Sequence, residues 1–504
     1  MLLAEHLNYT ARGQAIPKYR ADGEYDPYKR TEAAIDIENA IAVDGPIPYS
    51  QFMDLSLAGP HGYYSTGVVR ISEEKSFDFT TYPEFNNSFG PTLGLAAARV
   101  WEELGCPEDF PLVEMGAGRG TLALRMLDWI AVHNPEFYAH ISYKIVDFPG
   151  MAAKQRKTLE SHGGKVMWYE GSALELPDEV KGIEGMFLSN ELPDAFPVEV
   201  VKTENGQVLQ KYIGAEHGKF VEIWKPASQD VRNHISEFDV AVPDKEITVN
   251  LNAVRFQHQV SSSLRRGLIL TIDYGEDCKH YDGYIGSMRT FSENGKVLPA
   301  SLAYEKPREV DMTANIDFYP LMQTARAYGG KVVLFDQPNF FLASGIEDVL
   351  PSMQNPEHEN DVTRNGYAFK VLTIRHDLDS FKFNGGLRQT FNLNLSPAND
   401  IGMFRFSNSS PEESDDVFLE SIRDSSLVQV QQLGKGEWEF IQFPSGPNEY
   451  HAFIEDLAGR TIVQYKPFKV LYDFRKKEDV ERLLSDSGIS GIDIDALLEG
   501  KPFI

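Results

Sequence analysis

The sequence predicts an α/β protein built around a mostly parallel sheet with crossover helices, and three observations predict it. Between about residues 110 and 375 the short apolar runs FPLVEMG, ISYKIVDF, GMFLSNEL, GLILTIDYG and YAFKVLTI alternate with amphipathic stretches, the pattern of buried strands joined by helices. Between the first run and the stretch TLALRMLDWIAV stand three alternate glycines, Gly116, Gly118 and Gly120. They give a strand-to-helix turn the positive φ angles it needs. Upstream, TEAAIDIENAIAV and GPTLGLAAARVWEELG carry helical periodicity.

At 504 residues the chain has room for two or three domains. Four blocks and no internal repeat are read: a polar arm over residues 1–30, a helical cap over 31–110, the α/β region over 111–375, and an appended α+β domain over 376–504. The last block holds the acidic stretch SNSSPEESDD and two helix candidates, KKEDVERLLSDSG and DIDALLEG. Lys plus Arg number 48 against 75 Asp plus Glu, a formal net charge of −27. That charge repels polyphosphate and argues against nucleic acid as a partner. Cys106 and Cys278 are too few for a disulfide framework and point to a reducing, cytoplasmic setting. No apolar stretch is long enough to cross a membrane, and the N-terminus lacks a signal-peptide core. The 12 histidines show no metal-ligand spacing, so no metal is expected.

The glycine turn reads Glu114-x-Gly116-x-Gly118-x-Gly120. A dinucleotide site would need its third glycine at 121, where Thr121 stands, and a P-loop would need a following lysine that is absent. An acid two residues before the first glycine suits a ligand that carries a cation, as S-adenosyl-L-methionine does in its ammonium and sulfonium groups. The next strand delivers Asp147 to its carboxyl edge, where it can accept both ribose hydroxyls, with Phe148 beside the adenine. Ser172 and Ala173 follow another short apolar run, in position to meet the adenine edge. A tight turn with no ligand explains the glycines alone. Asp147 at the right element favours the cofactor.

In order along residues 45 to 375, the stretches GPIPYSQFMDLSLAGPHGYYS, FDFTTYPEFNNSFG, LVEMGAGRGTL, SNELPDAFPVEV, LTIDYG, GSMRTF, REVDMTANIDF and QPNFFLASGI resemble the MidA-like methyltransferases. That family includes the mitochondrial complex I assembly-factor arginine methyltransferase. The resemblance implies a Rossmann-like class I methyltransferase sheet, S-adenosyl-L-methionine as cofactor, and substrate-binding elements inserted within 111–375. It implies protein arginine as the acceptor. The chain departs from the family at Tyr82, Pro83, Glu84 and Phe85, where Ser-Pro-Glu-Ile is usual, and at Ala117, where proline is usual. The block after 375 lies outside the resemblance.

Ligands of open α/β sheets bind beyond the carboxyl ends of the strands, which directs attention to SNELPDAFPVE with Asn190, Glu191 and Asp194. Two acids can grip a guanidinium through charge-assisted forks. Alternatively, Asn190 and Asp194 merely cap the turn at Pro193. In the cap, Tyr63, Tyr64, Thr80, Thr81 and Glu84 stand where the cofactor must be covered. Tyr64 joins the catalytic candidates and Thr81 the cofactor-binding ones. Asp273 and Tyr274 end a strand on the same edge, and Arg289 is a partner for Asp311 or for an acidic acceptor. Three readings stay open: methylation of an arginine of a partner protein, tailoring O- or N-methylation of a small molecule or modified peptide, and a non-catalytic assembly factor that keeps a cofactor pocket. The partner is then a protein or small-molecule methyl acceptor, and a homodimer is also open.

Overall fold

The computed structural model describes residues 30–72, 77–279, 288–292, 296–298, 301–355 and 368–378, together with seven strands between 391 and 468. The expected arm before residue 30 and the two C-terminal helix candidates lie outside the described residues.

The central sheet takes its strands from the apolar runs: β1 (Phe110–Met115), β2 (Ile141–Asp147), β3 (Val166–Glu170), β4 (Ile183–Asn190), β5 (Leu264–Glu276), β6 (Lys331–Asp336) and β7 (Phe369–His376). Their order across the sheet is β3-β2-β1-β4-β5-β7-β6, and the short strand Ile316–Asp317 runs parallel to the end of β5. Strands β1 to β5 pair in parallel. Strand β7 runs antiparallel between β5 and β6, so the last apolar run departs from the parallel pattern. This is the seven-stranded, one-strand-reversed sheet expected of a class I methyltransferase. The chain leaves β1 for β2 and β3 on one side and resumes at β4 on the other, which opens a crevice at the carboxyl ends of β1 and β4.

Both faces of the sheet are covered, which is why β1 is buried at every position. Helix α3 (Phe89–Glu103) lies against helix α4 (Thr121–His133) on one face. Gly90 and Gly94 allow that approach: a Cβ at Gly90 would fall 2.7 Å from Arg125 Cβ, and one at Gly94 3.0 Å from Ile130 Cγ1. Helix α5 (Leu251–Ser263) and helix α6 (Phe318–Ala327) cover the other face through Phe256, Val260, Phe318 and Leu321.

The block read as a helical cap therefore divides. Its last helix, α3, buries its apolar sides on the catalytic sheet. The first two, α1 (Glu32–Asp44) and α2 (Tyr49–Leu57), join a separate core. There Ile37, Ile41, Phe52 and Met53 pack with Val198, Val200, Ile213 and Met312. Apart from Val198, which leads into it, those partners come from an antiparallel sheet that includes Glu199–Glu204, Gln207–Glu216, Lys219–Pro226 and Ile247–Val249, inserted after β4, and from the strand Asp311–Ala314. The roof over the crevice is thus part helix and part inserted sheet. Periodicity within residues 31–110 cannot show this, because the inserted strands come later in the sequence.

In the C-terminal block the described elements are strands. Gly402–Ser407 pairs with Asp416–Ser421, Leu427–Gly434 lies between Phe391–Asn394 and Glu437–Ile441, and Tyr450–Glu455 pairs with Thr461–Phe468. No helix among the described residues is long and apolar enough to cross a membrane.

Candidate active site

Side chains alternate along a strand, so Leu112 and Glu114 of β1 share a face with Tyr143, Ile145 and Asp147 of β2 and with Leu188 and Asn190 of β4. Three apolar strands thereby deliver three polar side chains to the same side at their carboxyl ends. A cavity opens there, with an empty volume of about 1140 Å³ counting its mouth. Glu114, Gly116, Gly118, Asp147, Phe148, Ser172, Ala173, Thr81, Tyr64, Asn190 and Glu191 all line it.

The glycine turn forms its floor. Gly116, Gly118 and Gly120 have φ of +70°, +55° and +85°, which side-chain-bearing residues rarely adopt. A Cβ at Gly116 would also meet Leu192 Cδ1 at 2.8 Å. Gly120 lies off the cavity wall: it starts helix α4, and a Cβ there would approach Leu159 Cδ1 at 3.3 Å. Its place in the motif is one of helix packing, and Thr121 takes its place at the wall.

Glu114 is 2% exposed and accepts from Tyr143 Oη at 2.7 Å. Burial raises its carboxyl to about 7, opposed by the Tyr143 bond and helped by the charge of Asp147. Asp147 accepts from Phe148 N at 2.7 Å and from Gln155 Nε2 at 2.7 Å. Burial lifts it to about 6, while these bonds and the backbone amides of Ala117 and Gly118 favour its ionised form. Gln155 Nε2 also donates to Gly118 O at 3.1 Å. The acid read as a ribose ligand therefore also pins the glycine turn, a connection that spacing alone does not reveal.

The far wall is built from the turn after β4. Glu191 adopts φ of +48°, a left-handed conformation costing a non-glycine residue about 1–3 kcal/mol, found where a side chain must be aimed. Its amide donates to Ile272 O at 2.8 Å, and its carboxylate accepts from Asn190 Nδ2 at 3.2 Å and from the backbone of Tyr82. Burial, then the charges of Asp194 and Asp311, raise it to about 8. Asp194 stands behind this wall. The 3-10 turn Pro193–Ala195 directs it to Tyr274, whose hydroxyl donates to Asp194 Oδ2, and burial raises it to about 6. Asp273 accepts from the amides of Asp194 at 3.0 Å and Tyr274 at 2.8 Å. Burial and the charges of Asp194 and Glu191 hold its carboxyl well above the usual range. Asp311 accepts from Tyr64 Oη at 2.7 Å and is raised to about 7 by burial. In the strand pairing Phe291 lies opposite Asp311, with Arg289 opposite Thr313.

Of the softer candidates, Tyr63 donates to Asp78 at 2.8 Å, and Thr80 shares a hydrogen bond with Ser72. Neither lines the cavity. Glu84 does: it accepts from Thr121 Oγ1 at 2.8 Å and lies 3.6 Å from Arg119 Nη1. The wall also holds residues that the sequence reading does not single out, among them Asp54 and Leu57 of α2, Ala58 just after it, Arg119 just before α4, and Leu192, Phe196 and Pro197 after β4. Arg119 was legible in the glycine turn itself; the others are placed by tertiary packing.

Among the described residues, five carboxylates (Asp54, Glu84, Glu114, Asp147, Glu191) face the cavity against one cation, Arg119, which is already near Glu84. The glycine floor admits close backbone approach, and a wall of this charge fits a sulfonium- and ammonium-bearing cofactor better than a polyphosphate. Sheet order, turn and acids together define a class I S-adenosylmethionine-dependent methyltransferase. A family described as "Putative S-adenosyl-L-methionine-dependent methyltransferase" matches residues 92–335. Protein arginine methyltransferase NDUFAF7, mitochondrial, of Homo sapiens is 26% identical over 340 residues, 63% of this chain and 74% of its own length. The Drosophila melanogaster homolog of the same name is 26% identical over 56% of this chain and 68% of its own. A COG1565 superfamily member from Burkholderia thailandensis, solved with bound S-adenosyl-homocysteine, superposes with a TM-score of 0.59 at 25% identity over 69% of this chain and 92% of that one.

The chain resembles the MidA-like S-adenosylmethionine-dependent methyltransferases, and its match to the family spans residues 92–335, just under half of its length. The expected cytoplasmic setting is overturned by these comparisons, in which the named relatives are mitochondrial proteins. Two isolated cysteines speak to redox conditions and not to the compartment that supplies them.

Proposed function

We propose that this methyltransferase transfers a methyl group to a guanidinium nitrogen of an arginine in a partner protein. The observation that carries the reading is Glu191, a strained, partly buried carboxylate held by Asn190 and the Tyr82 amide in the wall of the cofactor cavity. Support comes from the relatives whose names are protein arginine methyltransferases. When bound, S-adenosylmethionine supplies an electrophilic methyl on sulfur and leaves as S-adenosylhomocysteine. Glu114 would hold its ammonium end, Asp147 its ribose hydroxyls, and Phe148, Ser172 and Ala173 its adenine. Glu191 holds the guanidinium by two parallel N–H to oxygen bonds and accepts the proton that the methylated nitrogen gives up. Asp194, Tyr274 and Asp273 set the charge behind Glu191. The roof of α1, α2 and the inserted sheet excludes water from the transfer.

The test is mass spectrometry of arginine-containing acceptor peptides incubated with cofactor. Methylated arginine supports the reading, whereas cofactor turnover seen only with small hydroxyl or amine acceptors defeats it. Because Glu191 must be ionised to grip a cation and its carboxyl sits at about 8, kcat/KM should rise with pH and level off above about 8. A profile flat between pH 6 and 9 removes Glu191 from this role.

We further propose that the block after β7 is an accessory domain. Strand β7 is paired on both sides, by β5 and β6, and Leu378 still packs in the core. A chain ending just after Leu378 should therefore fold and bind cofactor with unchanged affinity, as calorimetry can measure. Insolubility, or a ten-fold loss of cofactor affinity, would place the tail within the catalytic fold.

A further inference from the structure

One carboxylate of the cavity wall has no part in the scheme above. Asp54 lies in the last turn of α2, where acids oppose the helix dipole and the helix has no basic residue to offset it. Its main-chain oxygen already accepts the amides of Ala58 and Gly59, a role that any residue fills. The other wall carboxylates are partnered: Glu84 by Thr121, Glu114 by Tyr143, Asp147 by Gln155 and Glu191 by Asn190. The Asp54 side chain has no hydrogen-bond or ion-pair partner among the described residues, and it stands exposed at the mouth.

Its position is on the acceptor side. Helix α2 packs through Phe52 and Met53 against Val198 and Val200, which continue directly from the wall formed by Leu192, Phe196 and Pro197. Leu57 and Ala58, from the same turn of α2 and the residue after it, add apolar surface there. An apolar collar with Glu191 within and Asp54 at the rim matches an arginine side chain entering guanidinium-first, its methylenes lying along the collar. The rim then faces whatever flanks that arginine.

We infer that Asp54 is a specificity-determining residue that reads a second positive charge on the acceptor, carried by a residue adjacent to the methylated arginine. The inference rests on the arginine reading. An exposed charge pair of this kind is worth up to about a five-fold preference, and the effect belongs in KM, because the contact is equally present before and during transfer.

The test uses three peptides that differ only in the residue next to a single arginine, Lys, Ala or Glu, with the full-length wild type, Asp54→Asn and Asp54→Lys at saturating cofactor. The wild type should show the lowest KM for the Lys peptide, up to about five-fold below the Ala peptide, and the highest for the Glu peptide. Asp54→Asn should erase the difference between Lys and Ala, and Asp54→Lys should reverse the order. Equal KM for all three in the wild type, or an equal change for all three in Asp54→Asn, overturns the role of Asp54 while leaving arginine methylation intact. Methylation of none of the three by the wild type overturns the arginine reading, and this inference with it.

Discussion

Glu191→Gln is expected to bind S-adenosylmethionine as the wild type does and to lose methyl transfer by about 10²-fold or more, the range of a positioned acid–base group. The variant keeps the size of the side chain and its bond to Asn190 while removing the charge that holds a guanidinium and takes its proton. The fold should not suffer. A carboxyl whose folded pKa is raised binds its proton more tightly in the folded state than in the unfolded one. The stability it contributes is therefore complete below the unfolded value of about 4 and is lost as pH rises through the folded value. Asp147 and Asp194 at about 6, Glu114 and Asp311 at about 7 and Glu191 at about 8 all act in this direction. Thermal stability should fall between pH 5 and 8, and at pH 8 Glu191→Gln should melt no lower than the wild type. Asp194→Asn removes a negative neighbour of Glu191 and should move the rise in kcat/KM to lower pH. Wild-type turnover by Glu191→Gln with acceptor saturating would move the reacting nitrogen to another part of the wall, with Tyr64 the next residue to test.

Asp147→Ala should weaken cofactor binding by about 1.5–3 kcal/mol, the range for hydrogen bonds to a charged group, read by titration calorimetry. The upper end is expected, because this carboxylate has a second duty. It ties Phe148 N and Gln155 and faces the amides of Ala117 and Gly118, so its loss also frees the floor of the cavity. Gln155→Ala separates the two effects: it loosens the turn by removing the bonds to Gly118 O and Asp147 but leaves the carboxylate for the ribose. Its loss of affinity should be the smaller one. Unchanged affinity in Asp147→Ala would show that the ribose is held elsewhere.

What could be read from the sequence is local. Strand alternation and the glycine spacing already set Glu114, Asp147 and Asn190 at the ends of buried strands, and the same pattern marked the class of sheet and its cofactor. Asn190 and Glu191 were visible because the strand that carries them ends in a polar turn. What tertiary structure alone decided is which acids meet. Glu191 and Asp194 are neighbours in the sequence, yet the positive φ at 191 and the turn at 193 send one into the cavity and the other behind it. Asp54 reaches the same cavity from a helix far upstream, and Tyr64 meets Asp311 across 247 residues of chain. These meetings depend on how α1 and α2 settle on strands inserted after β4. The hydrophobic burial that holds them there is non-directional, so no periodicity within either segment specifies its partner.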